Sequence, residues 1–503
     1  MRRAALATLL GLSLAATSLA AAPVQAAPTQ SKLAQLVTLK NVRHHQLNLQ
    51  KIADANGGNR AAGLPGHVIT VKYLADQLKR AGYAPKVQKF GFDFWQERSE
   101  PTFAQTEPDA KTFEPGTDYR TMQYSGAGDV TAAASPVDPG ATGLGSGCEA
   151  DDFNGFPKGH IALIQRGGCL FALKTDNAIA AGAAAVVIYQ LPTQPGPVAG
   201  TLGKPYGVPV IGPTNALGRA LVEQAQNGGV TLRVRTDTLS EKREAANVIA
   251  DTDRGKADNI VVVGAHNDSV AEGPGINDNA SGTAAVLELA KQIRKLNDKQ
   301  LRNKVRFAFW GAEEEGLLGS QYYVDSLSQA ERDKIALNLN FDMIGSPNYV
   351  RFVYDGDNST GASNVPPPAG SGAIEKAFTD YFAQRKLATD ESAFDGRSDY
   401  NAFISVGIPA GGLATGAEGI KTAEQARVYG GTAGQAYDPC YHSVCDRYEN
   451  VHLQGLDEMT DGAAAITQFF AHSTLTVNGN ELTRRQAPAR LAPPSVIGSY
   501  ATR

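Results

Sequence analysis

Long apolar runs are missing from nearly all of this chain. The exception is its first 26 residues, where Arg2 and Arg3 precede a small, apolar stretch from Ala4 to Ala22. Val24-Gln25-Ala26 supplies the small residues that signal peptidase requires, so the segment reads as a signal peptide cleaved after Ala26. The apolar stretch is Ala-rich and ends in Pro23, which argues against a membrane anchor. The expectation is a secreted, soluble protein with no membrane anchor in the mature chain. Basic runs are missing too. The 47 Lys and Arg are scattered against 51 Asp and Glu, for a net charge of −4, which excludes the electrostatic footprint of a nucleic-acid partner. Cysteine is scarce. Its four copies fall into two close pairs, Cys148 with Cys169 and Cys440 with Cys445. In an exported chain they imply two disulfides, with three connectivities open and the nearest-neighbour one adopted as the expectation.

What is present points to two units of α/β architecture. A chain of this length buries a large core and tends to split into domains. Residues 33–56 read as helical. Gly57-Gly-Asn-Arg-Ala-Ala-Gly-Leu-Pro-Gly66 is a loop, and 67–81 is a second helix with Val71, Leu74, Leu78 and Ala81 on one face. Residues 85–92 alternate as a strand. Near Gly126 the composition shifts toward Ala, Gly and Val, and charge thins out until about Val230. Within that region 161–165 is a strand, 171–181 a helix and 184–189 a second strand. No nucleophile and base come together there.

The densest chemistry lies at 260–290, IVVVGAHNDSVAEGPGINDNASGTAAVLELA. The β-branched run at 260–263 reads as a buried strand. His266 and Asp268 stand at its carboxyl end, Asp278 follows in the next loop, and an amphipathic helix begins after Ser281-Gly282. Open α/β sheets form their sites where strands end and loops lead into helices. Imidazole and carboxylate gathered there suit a divalent zinc ion. The pattern repeats. A strand at 304–310 ends in Gly-Ala-Glu313-Glu314-Glu315-Gly, one at 337–341 is followed by Asp342, and a short strand at 408–413 precedes Tyr441-His442 between the second pair of cysteines. Each cluster has a plainer reading by itself. The three glutamates could be a solvated turn, Asp342 a helix cap, and His442 a loop histidine. His44, His45, His67, His160, His452 and His472 lie outside these clusters and read as surface or packing residues.

Two resemblances follow from these residues. The stretch around Lys158-Gly-His-Ile-Ala-Leu-Ile-Gln-Arg-Gly167, with the following Cys169 and Ala-rich helix, resembles the protease-associated domain over residues 126–239. The motifs GAHNDS, GINDNASG, FWGAEEEGLLGS, NFDMIG, DGRSDY and GQAYDPCYHSVCD occur in this order. They resemble the secreted co-catalytic two-zinc aminopeptidases, of the leucine aminopeptidase and aminopeptidase Y-like zinc exopeptidase type, over about 247–470, with weaker likeness in 57–83. The resemblance implies a set of roles. His266 and Asp342 would bind the first of two zinc ions, Glu314 and His442 the second, and Asp278 would bridge both. Glu313 would be the general base, Tyr441 would stabilise the oxyanion, and Asp268 would stand behind His266. Substrates would be peptides with a free N-terminus, and large apolar residues such as leucine would be preferred. Glu315 departs from the family, which often has an apolar residue there.

The implied fold is a three-layer α/β/α zinc exopeptidase domain with a mixed sheet, formed from 27–125 and 240–472, carrying the smaller α+β protease-associated domain at 126–239. Residues 473–503, polar and proline-bearing, read as a disordered tail. Two rival functions stand beside the aminopeptidase. A carboxypeptidase with the same metal site would need a basic pocket, for which only Arg397 is at hand. A receptor-like relative would have lost its ligands, whereas all five are present.

Overall fold

The computed structural model describes residues 31–138, 145–297 and 300–478. The expected signal peptide and the segment after Asn478 lie outside them. Four parallel neighbours form the centre of the sheet: Ala410–Ala414, Ile335–Phe341, Lys256–His266 and Asn303–Trp310. Antiparallel strands flank them, Phe352–Tyr354 on one side and Thr231–Asp251 on the other, so the sheet is mixed. Side chains alternate across a strand, and here both faces are covered. Val261, Val263 and Ala265 point to one side, into a core shared with Phe307, Leu339, the helix Ala280–Ile293 and the helix Leu453–His472. Ile260 and Val262 point to the other, against Trp310, Tyr323, Val324 and Phe403. A β-branched run buried on both faces is why 260–263 carries no polar alternation.

Several boundaries differ from the sequence reading. The first helical stretch is two helices, Lys32–Leu36 and Leu39–Ala55, because the Thr38 side chain caps the second by accepting from the Asn41 amide. The expected short strand is the start of a long one, Lys86–Glu107, which pairs antiparallel with Thr231–Asp251 from Lys86↔Ile249 to Glu107↔Thr231. This ribbon leads the chain out of the peptidase sheet and back. Phe103, Phe113 and Tyr119 pack with Ile161, Leu163, Val187 and Leu232, so the insert's core begins before Gly126. The compositional shift marked where charge thins, not where packing changes. At the other end Ser473–Asn478 is not a loose tail. Val477 is buried, the Thr474 hydroxyl accepts from Asn259 Nδ2, and Asn478 Nδ2 donates to Asn259 Oδ1.

Within the insert, Gly128–Pro136, Ile161–Gln165, Ala185–Tyr189, Val210–Pro213 and Tyr119–Thr121 follow one another across the sheet. The cysteines pair as nearest neighbours, Cys148 with Cys169 and Cys440 with Cys445. No described helix is long and apolar enough to cross a membrane.

Candidate metal centre

The parallel strands deliver their carboxyl ends to one edge. Trp310 pairs with His266 across two of them, so Glu313 and His266 begin close together. Asp342 follows the neighbouring strand directly. The helix Ala280–Ile293 comes close to that strand at Gly282, where a Cβ would meet the Phe341 carbonyl oxygen at 2.1 Å. Asn279 caps this helix by accepting from the Gly282 amide. Asp278 therefore precedes a helix N-terminus, where the helix dipole favours negative charge.

The side chains converge on Asp278. Its Oδ1 lies 3.1 Å from His266 Nε2, and its Oδ2 lies 3.1 Å from His442 Nε2. Asp342 Oδ1 is 3.2 Å from His266 Nε2, and Glu314 Oε2 is 3.2 Å from His442 Nε2. His266, Asp278 and Glu314 form one group with ligand atoms within 4.8 Å of one another, and His266, Glu313 and Asp342 form a second. Among the described residues, His266 is the only histidine in such a group; His442 reaches the centre through its approaches to Asp278 and Glu314.

These separations lie at the long end of hydrogen bonds, His266 Nε2 and Asp342 Oδ1 forming one at 3.2 Å, and they suit ligands of a shared ion equally well. Two ligands about 2.0–2.1 Å from a tetrahedral ion lie roughly 3.3 Å apart. His442 Nε2, buried and facing two carboxylates, forms no hydrogen bond of acceptable geometry. Burial works against charge on His266, yet Asp342 and Glu313 hold its pKa well above the usual value. Burial likewise opposes the Asp278 carboxylate, but the two imidazoles keep its pKa depressed. The donor set, imidazole and carboxylate at ligand spacing, fits zinc.

Backbone strain gathers at the same place. Ala312, Met343 and His442 have φ of 56°, 50° and 53°, a region non-glycine residues seldom enter. One precedes Glu313, one follows Asp342, and one is a candidate ligand. Asp268 joins the two strand ends: its oxygens accept from the Glu313 and Glu314 amides at 3.2 and 3.3 Å. Its Oδ1 is 3.5 Å from His266 Nδ1, beside the ring nitrogen but beyond a normal hydrogen bond.

A cavity of about 270 Å³ opens on Asp278, Glu313, Asp342 and Tyr441. Met343, Phe352, Tyr354, Ala414 and Tyr437 supply much of its wall. Arg397 stands beside it with its charge engaged, Nη1 lying 2.6 Å from Glu418 Oε1 and Nη2 donating to the Tyr441 hydroxyl at 3.2 Å. The Tyr441 ring stacks on His442 at 3.7 Å.

Residues 247–467 match peptidase family M28, and 132–221 match the PA domain. An aminopeptidase of Pseudomonas aeruginosa is 46% identical over 455 residues, covering 89% of this chain and 83% of the relative. The chain belongs to peptidase family M28. A probable leucine aminopeptidase 2 of Aspergillus fumigatus is 40% identical over 430 residues, covering 84% of the M28 chain and 82% of its own. Among solved structures, an aminopeptidase from Aneurinibacillus sp. strain AM-1 superposes with a TM-score of 0.65 at 29% identity, covering 86% of this M28 peptidase and 94% of that chain. A zinc aminopeptidase from Bacillus subtilis gives 0.53 at 26%, with the same coverage.

The sequence reading assigned no role to several groups at this M28 centre. Ser398 donates to Asp342 Oδ2, Asp446 accepts the Asn277 and Asp278 amides, and Arg60 lies beneath the loop between His266 and Asp278. Ser398 and Asp446 sat inside quoted motifs. Arg60 sat in a glycine-rich loop some 200 residues upstream, within the stretch of weaker family likeness, and no role was read for it there.

Proposed function

We propose that this M28 zinc aminopeptidase uses two zinc ions to remove the N-terminal residue from peptides, preferring large apolar residues such as leucine. Asp278 carries the reading, because its two oxygens face different histidines at the same 3.1 Å. His266 and Asp342 would hold one ion, His442 and Glu314 the other, with Asp278 shared. When bound, such a pair polarises the scissile carbonyl and lowers the pKa of an attacking water toward 7. Glu313, 2% exposed and not assigned as a ligand, accepts the water's proton and returns it to the leaving amine. Tyr441 donates its hydroxyl to the developing oxyanion, and burial beside Asp278 keeps that hydroxyl protonated by raising its pKa. Asp268 holds the Glu313 and Glu314 amides.

Acidic groups around the site favour a protonated amino terminus, and the aromatic wall formed by Phe352, Tyr354 and Tyr437 favours an apolar side chain. The carboxypeptidase alternative needs a free cation for the substrate carboxylate, and the Arg397 charge is taken by Glu418. Both disulfides suit an oxidising compartment, in keeping with export.

Aminoacyl reporter substrates and their N-acetylated forms, assayed with and without chelator beside elemental analysis, test this reading. The expected result is two zinc ions per chain, loss of activity on chelation, recovery on adding zinc, and poor turnover of blocked substrates. Full activity in metal-free protein overturns the mechanism, and rapid release of C-terminal residues from acetylated peptides favours the carboxypeptidase.

A further inference from the structure

The loop from Asn267 to Asn277 carries Asp268 and leads into Asp278, and it is irregular throughout. Buried backbone groups in such a loop need partners outside it. One side chain supplies three. Arg60, fully buried, donates from Nε to the Pro274 carbonyl at 3.0 Å, from Nη2 to the Gly275 carbonyl at 2.7 Å, and from Nη1 to the Asn267 carbonyl. The Arg60 amide donates to Ser269 Oγ at 2.9 Å, and Asn59 Nδ2 donates to the Ala271 carbonyl at 3.1 Å. Gly275 permits the approach. Its φ is 61°, and a Cβ there would lie 3.1 Å from Arg60 Nη2 and 2.2 Å from the Asp278 carbonyl oxygen.

The opposite polarity is met from the other end of the chain. Asp446 accepts from the Asn277 amide at 2.8 Å and the Asp278 amide at 3.0 Å. Asp438 accepts from Asn277 Nδ2 at 2.7 Å. A cation therefore takes the loop's carbonyls and a carboxylate takes its last amides. Burial lowers the Arg60 pKa to about 10, against the pull of Asp268, Asp446 and Asp278, so it remains charged at neutral pH. The planar guanidinium fork reaches several acceptors in fixed directions, which a lysine ammonium cannot do.

We propose that Arg60 is a positioning residue for the metal centre: from beneath, it fixes the loop that presents Asp278, with Asp446 as its counterpart on the amide side. The proposal rests on the two-zinc reading. It differs from a purely electrostatic role in the sign of its effect. A fixed positive charge near a cation site repels the ion, so a mere countercharge would weaken zinc binding and its removal would strengthen it. A positioning residue does the reverse.

Zinc affinity of the full-length protein, measured by competition with a chromophoric chelator, separates the two. Arg60→Gln removes the charge, while Arg60→Lys keeps the charge and loses the fork. Both variants are expected to bind zinc about 10–100-fold more weakly, the scale on which partners of metal ligands act. Their kcat should fall while KM for apolar reporter substrates stays near the parent value. Parent-like or tighter binding by Arg60→Gln overturns the proposal, as does full affinity in Arg60→Lys. Should the Arg60 variants fail to fold, Asp446→Asn tests the same frame from the amide side, since its NH2 group would oppose an N–H. It should show the same loss, and unchanged affinity there also overturns the proposal. Failure of the two-zinc reading would appear separately, as a parent protein that binds fewer than two ions.

Discussion

The Ser398 hydroxyl donates to Asp342 Oδ2 at 2.5 Å, which leaves Asp342 Oδ1 turned toward His266 Nε2 at 3.2 Å. In the proposed site, this charge-assisted bond would leave Oδ1 as the oxygen offered to a metal. Ser398 also accepts from Asn340 Nδ2 at 2.8 Å, so its rotamer is set by the strand that carries Asp342. In Ser398→Ala the carboxylate is free to rotate. Zinc affinity should fall about 10–100-fold and turnover with it. Chelator competition on the purified variant checks this, and unchanged affinity would show that Asp342 is held by other means.

Glu313 and Glu314 are adjacent and both carboxylates are buried, yet they are given different tasks. Glu313→Ala should lower turnover at least about 10²-fold, the scale of a lost general base. Its zinc content should match the parent's. If elemental analysis finds a metal missing instead, the roles of the two glutamates are exchanged.

The Cys440–Cys445 ring encloses His442, whose φ of 53° is costly for a histidine. The Cys440 amide also donates to Asp438 Oδ1 at 2.9 Å, tying the ring to the residue that holds Asn277. So small a loop contributes only about 2 kcal/mol to global stability in the chain-entropy account. The double change Cys440→Ser, Cys445→Ser should therefore move the melting temperature by a few degrees but weaken the zinc ion at His442 and lower turnover. A zinc titration with two parent-like affinities and undiminished turnover would show that the ring is not needed there.

Glu375 lies away from this edge. Burial first, and then the charge of Asp357, push its carboxyl up to about 7. An unfolded glutamate titrates near 4.3. Between these values the folded state holds a proton that the unfolded state has released, so this group removes stability as pH rises through that window. Glutamine has no proton to lose, and its carbonyl oxygen can still accept from the Gly356 and Asp357 amides, which now reach Oε2 at 2.9 and 3.2 Å. The melting temperature of Glu375→Gln relative to the parent should rise between pH 4.5 and pH 8. A flat difference across that range contradicts the assignment.

The sequence by itself determined the kinds of donor atom, their order, and the strands that carry them. Those features are local: the β-branched run at 260–263 needs both faces buried, and motif residues sit where strands end. The sequence left three cysteine connectivities open, and the structure selects the nearest-neighbour one. Local signals failed where packing is not local. Residues 85–92 read as a short strand, but Lys86–Glu107 continues through register shifts because Thr231–Asp251 supplies its partner. Ser473–Asn478 looks like the start of a tail until Asn259 binds it. Only the tertiary structure decided that the two oxygens of Asp278 face different histidines, and that Arg60, Asp446 and Ser398 hold the pieces in place. Periodicity and neighbouring residues set the conformation of a segment. Which side chains meet across some 200 residues is set by sheet register and by the buried loop groups that must find partners, and a linear pattern encodes neither directly.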